Sequence, residues 1–209
     1  MTEWVEGISW DRGRPTNTKQ LFIFYNEYVK VLYAGVQASN QIPVEMLFEL
    51  NAALDHLSRH WIYSEAEQEV VAKAFSHLKR ACLDAFKIKF METVDQYKEL
   101  CNIDTSIIDN GDFDRKLHIF FNGMRSKATK ARKVEGQPDN DKVVPAFELW
   151  EEVYADCVEF NNNFFLHEKI NWARRRGWRI SFSRKSTEFI LGFLAGFLSS
   201  LLVWWITKT

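Results

Sequence analysis

The sequence predicts an all-α protein, an up-and-down helical bundle followed by one C-terminal transmembrane helix, and three observations lead there. Apolar residues make up 46% and aromatics 15% of the 209-residue chain, with only 9 Gly and 4 Pro, which argues against disorder and against a turn-rich β protein. Between residues 18 and 160 the apolar positions recur at helical spacing, with no convincing run of strand alternation. The chain then closes on an uncharged run, Phe189 to Ile206.

Punctuation divides the body into about five helices. The first runs from about Thr18 to Val36, with Leu21, Phe22, Tyr25, Tyr28, Val29 and Leu32 in register, and ends near Ser39-Asn40. A second starts at Pro43 and carries Met46, Leu47, Leu50, Leu54 and Leu57 to about Trp61. Ser64 with Glu67 three residues on has the pattern of a capping box, opening a third helix that runs through Val70, Ala74, Leu78 and Phe86 as far as Leu100. Asn110-Gly111 marks a turn before a fourth helix, Phe113 to about Arg132, with a strongly basic end. After the loop at 136–140, Phe147, Trp150, Val153, Tyr154 and Cys157 define a fifth, which Asn161-Asn162-Asn163 loosens or ends. The organisation expected is a cytoplasmic bundle over 1–168, a basic, Trp-rich juxtamembrane segment over 169–188, and the span over 189–206.

The formal net charge of −1 hides an asymmetry. Residues 1–168 carry 19 Lys/Arg against 27 Asp/Glu, whereas 169–209 carry 8 against 1. At 1.5 Å per residue the apolar run is about 27 Å long, near the thickness of a bilayer's hydrocarbon layer. A core helix of that length would carry a polar face, and here Trp204 and Trp205 fall at one end with Trp172 and Trp178 before the other, as at two membrane interfaces. Arg174, Arg175, Arg176, Arg179, Arg184 and Lys185 precede the run and only Lys208 follows it, so the positive-inside rule places the body in the cytoplasm, under the cell inner membrane. Arg interleaved with Trp suits anionic lipid headgroups. The same mixture suits RNA or a nucleoprotein partner. Gly192, Gly196 and Ser200 form a stripe of small residues on one side of the helix, which suggests a homo-oligomer through close helix packing. The N-terminus, MTEWVEGISWDRGRP, has no basic stretch followed by an apolar one, so no secretory signal peptide is expected.

Several enzyme classes find no foothold: there is no Gly-rich phosphate loop, no HExxH, no paired-cysteine metal motif and no nucleophile elbow. No cofactor or metal is expected. Cys82, Cys101 and Cys157 are far apart in apolar helical contexts and read as buried thiols of a reducing compartment. The sharpest polar pattern lies on the second and third helices, ELNAALDHLSRH and HLKRACLDAFK. Glu49, Asn51, Asp55 and Arg59 share or adjoin one face, and an antiparallel neighbour would bring Arg80 and Asp84 close. Such a cluster is either a hydrogen-bonded network or a site in which a histidine exchanges protons near neutral pH. The candidate catalytic residues are Asn51, His56, Arg59 and Arg80.

The stretches ELNAALDHLSRHW and EQEVVAKAFSHLKRACLDAFK resemble the core helices of HEPN-type domains, helical bundles of prokaryotic ribonucleases and defence proteins, over about residues 18–160. In active members of that superfamily an Arg stands a few residues before a His, and a dimer brings two such motifs together to cleave RNA without a metal. His56 matches that His, but Asn51 occupies the matching Arg position. Neutral Asn cannot stabilise the charge that develops at a phosphate as Arg does. A HEPN-like bundle joined to a membrane helix is similar to the membrane accessory proteins of type VI-B CRISPR systems and to other membrane effectors of bacterial antiviral defence. The resemblance implies an effector that oligomerises and perturbs or permeabilises the membrane. The alternatives are a membrane-tethered ribonuclease, using His56 with Arg59 or Arg80 in place of the missing Arg, and a non-enzymatic membrane scaffold.

Overall fold

The computed structural model describes residues 13–37, 42–136, 143–166 and 168–176, with 189, 191, 193–200 and 204 of the C-terminal run. The order is α1 (Thr18–Phe24), a π-helical turn (Tyr25–Val29), α2 (Lys30–Gln37), α3 (Val44–Tyr63), α4 (Glu67–Cys101), two short 3-10 turns (Thr105–Ile107 and Asp109–Gly111), α5 (Asp112–Glu135), α6 (Val143–Phe160) and a second π-helical turn (Asn161–Phe165). Helix α7 covers 168–176 and α8 covers 193–200. The described residues are helical and contain no strand, in keeping with the all-α expectation.

The 35-residue α4 is the axis of the bundle, packing on α3 along one side and on α6 along another, while α5 and α6 pair with each other. Its inward residues Val70, Val71, Ala74, Ala81, Cys82, Ala85 and Phe86 are buried. The many small side chains among them let neighbouring helices approach closely. Aromatic rings fill the rest of the core. Phe24 meets Phe75 edge-on at 5.0 Å, Phe86 sits among Phe147 and Tyr154 at 5.5 and 5.3 Å, and Phe90 meets Trp150 at 6.1 Å. At the other end Tyr97 lies flat on Phe121, followed by Phe160 and Phe164.

Two local expectations change, the cap at Ser64 and the burial of Cys101. Ser64 does not open α4: it closes α3 in the left-handed region at φ 57°, and the N-cap of α4 is Ala66, with no side-chain cap bond. Glu67 reaches α1 instead, accepting from the Thr18 amide at 2.9 Å and the Thr18 hydroxyl at 2.8 Å. One carboxylate thus satisfies an otherwise free amide in the first turn of α1 and ties that helix to α4. Asn161 to Phe165 widen to a π turn that continues α6. Of the three cysteines, all free, Cys82 and Cys157 are buried but Cys101 is exposed, at the last position of α4. Burial pushes the Cys157 thiol up to about 12. The Asn110-Gly111 turn is as expected, with φ 55° and 85° on its two residues.

The expected transmembrane helix is corrected. No helix among the described residues is long and apolar enough to cross a membrane. Of the expected span, residues 189, 191, 193–200 and 204 are described, and all are helical. Trp178, Arg179, Arg184, Lys185 and Gly192 lie outside the described residues. Helix α7 packs on the bundle through buried Ile170 and Ala173.

Candidate functional site

The polar cluster that the sequence singles out is built on the antiparallel pair α3 and α4, joined by Ser64 to Ala66. With so short a connection, residues equally far from the turn face each other, and His77 of α4 falls beside Glu49 and His56 of α3. The Glu49 carboxylate accepts from His77 Nδ1–H at 2.6 Å. That bond leaves Nε2 of His77 as the free ring nitrogen. The His56 ring stacks on His77, centroids 5.1 Å apart and planes 28° from parallel. His56 Nδ1 is buried without a hydrogen-bond partner. Burial holds the His56 pKa below the ordinary histidine value, helped by His77 and then by Arg59, with Asp55 opposing.

The other predicted residues do not join this pair. Arg59 is engaged elsewhere, 3.4 Å from Asp55 and 3.5 Å from Glu65, with Lys73 3.9 Å from the same Glu65. His60 Nδ1 donates to the Glu65 carbonyl at 2.8 Å. Asn51 is exposed. Five helical positions rotate by about 140°, so Asn51 and His56 lie on different faces of α3. Arg80 is also exposed. Asp84 lies near the other end of the pair, lining a surface hollow with Glu45 and Lys87. Its pKa is raised by burial, against the pull of Lys87, with Glu49 and Glu45 adding to the rise. The single charged cluster expected of Arg59, Arg80 and Asp84 is thus split along α4. Glu49 and His77 form the closest acid–base contact of the region, and the periodicity that put Glu49 on the face of Asp55 hid their pairing.

A carboxylate that orients an imidazole is the base half of many acid–base sites. The two cations that act on His56 are turned to carboxylates, Arg59 to Asp55 and Glu65 and Lys73 to Glu65, and position 51 bears a neutral side chain on another face of α3. Glu49, His56 and His77 link α3 to α4 through one hydrogen bond and one ring stack. Among the described residues, no group of three or more His, Cys, Asp or Glu is placed to hold a metal ion.

The basic segment divides as well. Lys169 pairs with Asp109 at 2.6 Å and Arg174 with Glu99 at 2.6 Å, so both turn to the bundle. Arg176 lies over the Trp172 ring at 5.3 Å, and Trp172 is half exposed. Arg175 is exposed. Beyond them Gly196 has no neighbour within 4 Å of the place a Cβ would take, and the hydroxyls of Ser199 and Ser200 both donate to its carbonyl at 2.9 Å. Comparison of the chain with protein-family models, curated proteins and solved structures finds no match. The likeness to HEPN-type helices rests on the two stretches quoted above.

Proposed function

We propose that this chain is a non-enzymatic, self-associating helical module that works on lipid, an effector or scaffold held at the cytoplasmic face of a cell membrane by contact and not by a crossing helix. One observation carries the reading. The described C-terminal residues expose a row of large apolar side chains: Phe189 76%, Phe193 66%, Leu194 47%, Phe197 55% and Leu198 58%. A contiguous exposed apolar surface of this kind marks contact with another apolar phase. Lipid is favoured by the exposed Arg175 and the Arg176–Trp172 pair ahead of it, a combination suited to anionic headgroups. The defence setting is taken from the HEPN-type resemblance. Self-association is supported on the bundle by α3, where Leu47, Leu54 and Trp61 are exposed at seven-residue spacing, the periodicity of a helix–helix seam.

Flotation of the full-length chain with phosphatidylcholine vesicles, with and without phosphatidylglycerol, tests the lipid contact. The chain should rise with the anionic vesicles, and a Phe193→Asp, Phe197→Asp double variant should stay at the bottom with its bundle folded. A wild-type chain that stays in solution, or a variant that floats as well as wild type, refutes the reading. Light scattering on the same samples should give a defined oligomer, and a monomer refutes self-association.

A further inference from the structure

The groove between α4 and α5 collects cations around an aromatic floor. On α5, Arg125, Ala128, Thr129 and Arg132 follow helical i, i+3, i+4, i+7 spacing and share one face. Ala128 is buried and small, so the face is recessed between two arginines that stand two turns, about 10.5 Å, apart. Arg125 makes no ion pair among the described residues, and Arg132 lies over the Trp150 ring at 5.9 Å. From α4 come Tyr97 and Lys98. The Tyr97 ring is parallel to Phe121 at 3.6 Å, and its hydroxyl meets His118 Nδ1 at 2.7 Å, which fixes its plane. Among the described residues Lys98 pairs with exposed Asp95, one turn back. The hollow has a volume of 420 Å³, and no carboxylate among the described residues lines it. That volume falls within the roughly 300–1,000 Å³ of small-molecule sites. The comparable hollow of 450 Å³ beside Lys79 is different, since Glu148 and Glu151 share its wall and offset the cation.

We propose that the α4–α5 groove is a binding site for a nucleoside polyphosphate, with Arg125 and Arg132 on the phosphate oxygens and the base against the Tyr97 side of the floor. Planar guanidinium groups pair with phosphate oxygens two at a time. A base ring gains further from an aromatic surface that is already fixed. A recessed site with an aromatic floor suits a molecule that enters it, in contrast to the extended face of a bilayer. The inference is independent of the lipid contact made by the C-terminal segment.

Titration calorimetry of the detergent-solubilised full-length chain with ATP, inorganic triphosphate and adenosine tests it. ATP should bind saturably and about tenfold or more tightly than either fragment, since each supplies only half of the contacts. Arg125→Ala and Arg132→Ala should each weaken ATP about tenfold, whereas Lys127→Ala, whose partner is Asp156 of α6, should not change it. Arg125 is exposed and its removal leaves the core intact, so that variant decides the matter even if Arg132→Ala loosens Trp150. Absence of saturable ATP binding up to about 1 mM, triphosphate binding as tightly as ATP, or binding unmoved by Arg125→Ala overturns the proposal. So does an Arg125-dependent attachment to anionic vesicles by a chain that ignores ATP, which would make the groove a lipid contact.

Discussion

Replacing His56 with Gln measures what a charge on His56, stacked on His77 between α3 and α4, costs the fold. The two rings are 5.1 Å apart. Two unit charges at that separation repel by about 3 kcal/mol at an effective dielectric of 20 and about 0.8 kcal/mol in water. The cluster is partly open to solvent, Asp55 attracts a charge on His56 while Arg59 and Lys73 repel it, and about 1 kcal/mol is the working figure for charging His56. The direction follows from His56, whose pKa in the fold is lowered by burial, then His77, then Arg59. In the unfolded chain a histidine binds its proton as the pH falls through about 6.5. The folded chain takes up the same proton later, so between those two pKa values the unfolded state holds more protons and stability falls with falling pH. The contribution is intact above about pH 7 and is lost progressively below about 6.5. Urea denaturation at a series of pH values between about 7.5 and 5 reads it. With m near about 2 kcal/mol/M the wild-type midpoint should drop by about 0.5 M more than that of His56→Gln. Taking the difference between the two proteins cancels the other titrating groups, Asp84 among them, whose raised pKa acts in the opposite sense. Parallel curves for wild type and variant would refute the reasoning.

Two further outcomes follow from the bundle. Trp150 is fully buried, with Phe90 at its edge, Lys87 and Arg132 over its ring, and its indole N–H donating to Glu135 at 3.3 Å. Trp150→Ala should cost about 3–5 kcal/mol of unfolding free energy by denaturant titration, and a cost under about 1 kcal/mol would mean that α5 and α6 do not pack around this side chain. Asn51→Arg restores the residue type of the HEPN-type motif but puts it on a face of α3 turned away from His56. The variant should show no more metal-independent RNA cleavage than wild type in a fluorescent-substrate assay, and cleavage that appears with Asn51→Arg and disappears with His56→Ala would overturn the placement.

Helix positions were legible because apolar spacing and loop residues act locally: the five predicted segments map onto the helices of the bundle, and Asn110-Gly111 turns where its left-handed tolerance suggests. Ser64 misled because the same residue serves at the end of one helix as well as at the start of the next. Glu67 was misassigned because its partner, Thr18, is distant in sequence. The same limit applies to the site. Glu49 and His77 were both visible as polar residues on adjacent helices, but their bond depends on the register across the α3–α4 turn, which no single-helix periodicity supplies. Arg125 and Arg132 were legible only as the basic end of a helix, since the groove exists through Tyr97 and Lys98 on another element.

The join between bundle and C-terminal segment shows which forces hold it. Helix α7 is tied by Lys169 to Asp109 and by Arg174 to Glu99, all exposed or nearly so. Pairs of that kind contribute about 0–1 kcal/mol each and weaken with salt. The Ile170 side chain is 1% exposed, and burying an isoleucine is worth about 1.5–3 kcal/mol. Apolar contact therefore sets the strength of the attachment, and the ion pairs set its direction by fixing which face of α7 meets the ends of α4 and α5. Because Glu99 follows Lys98, a residue of the basic groove, the clamp on Arg174 and the groove occupy the same turn of α4.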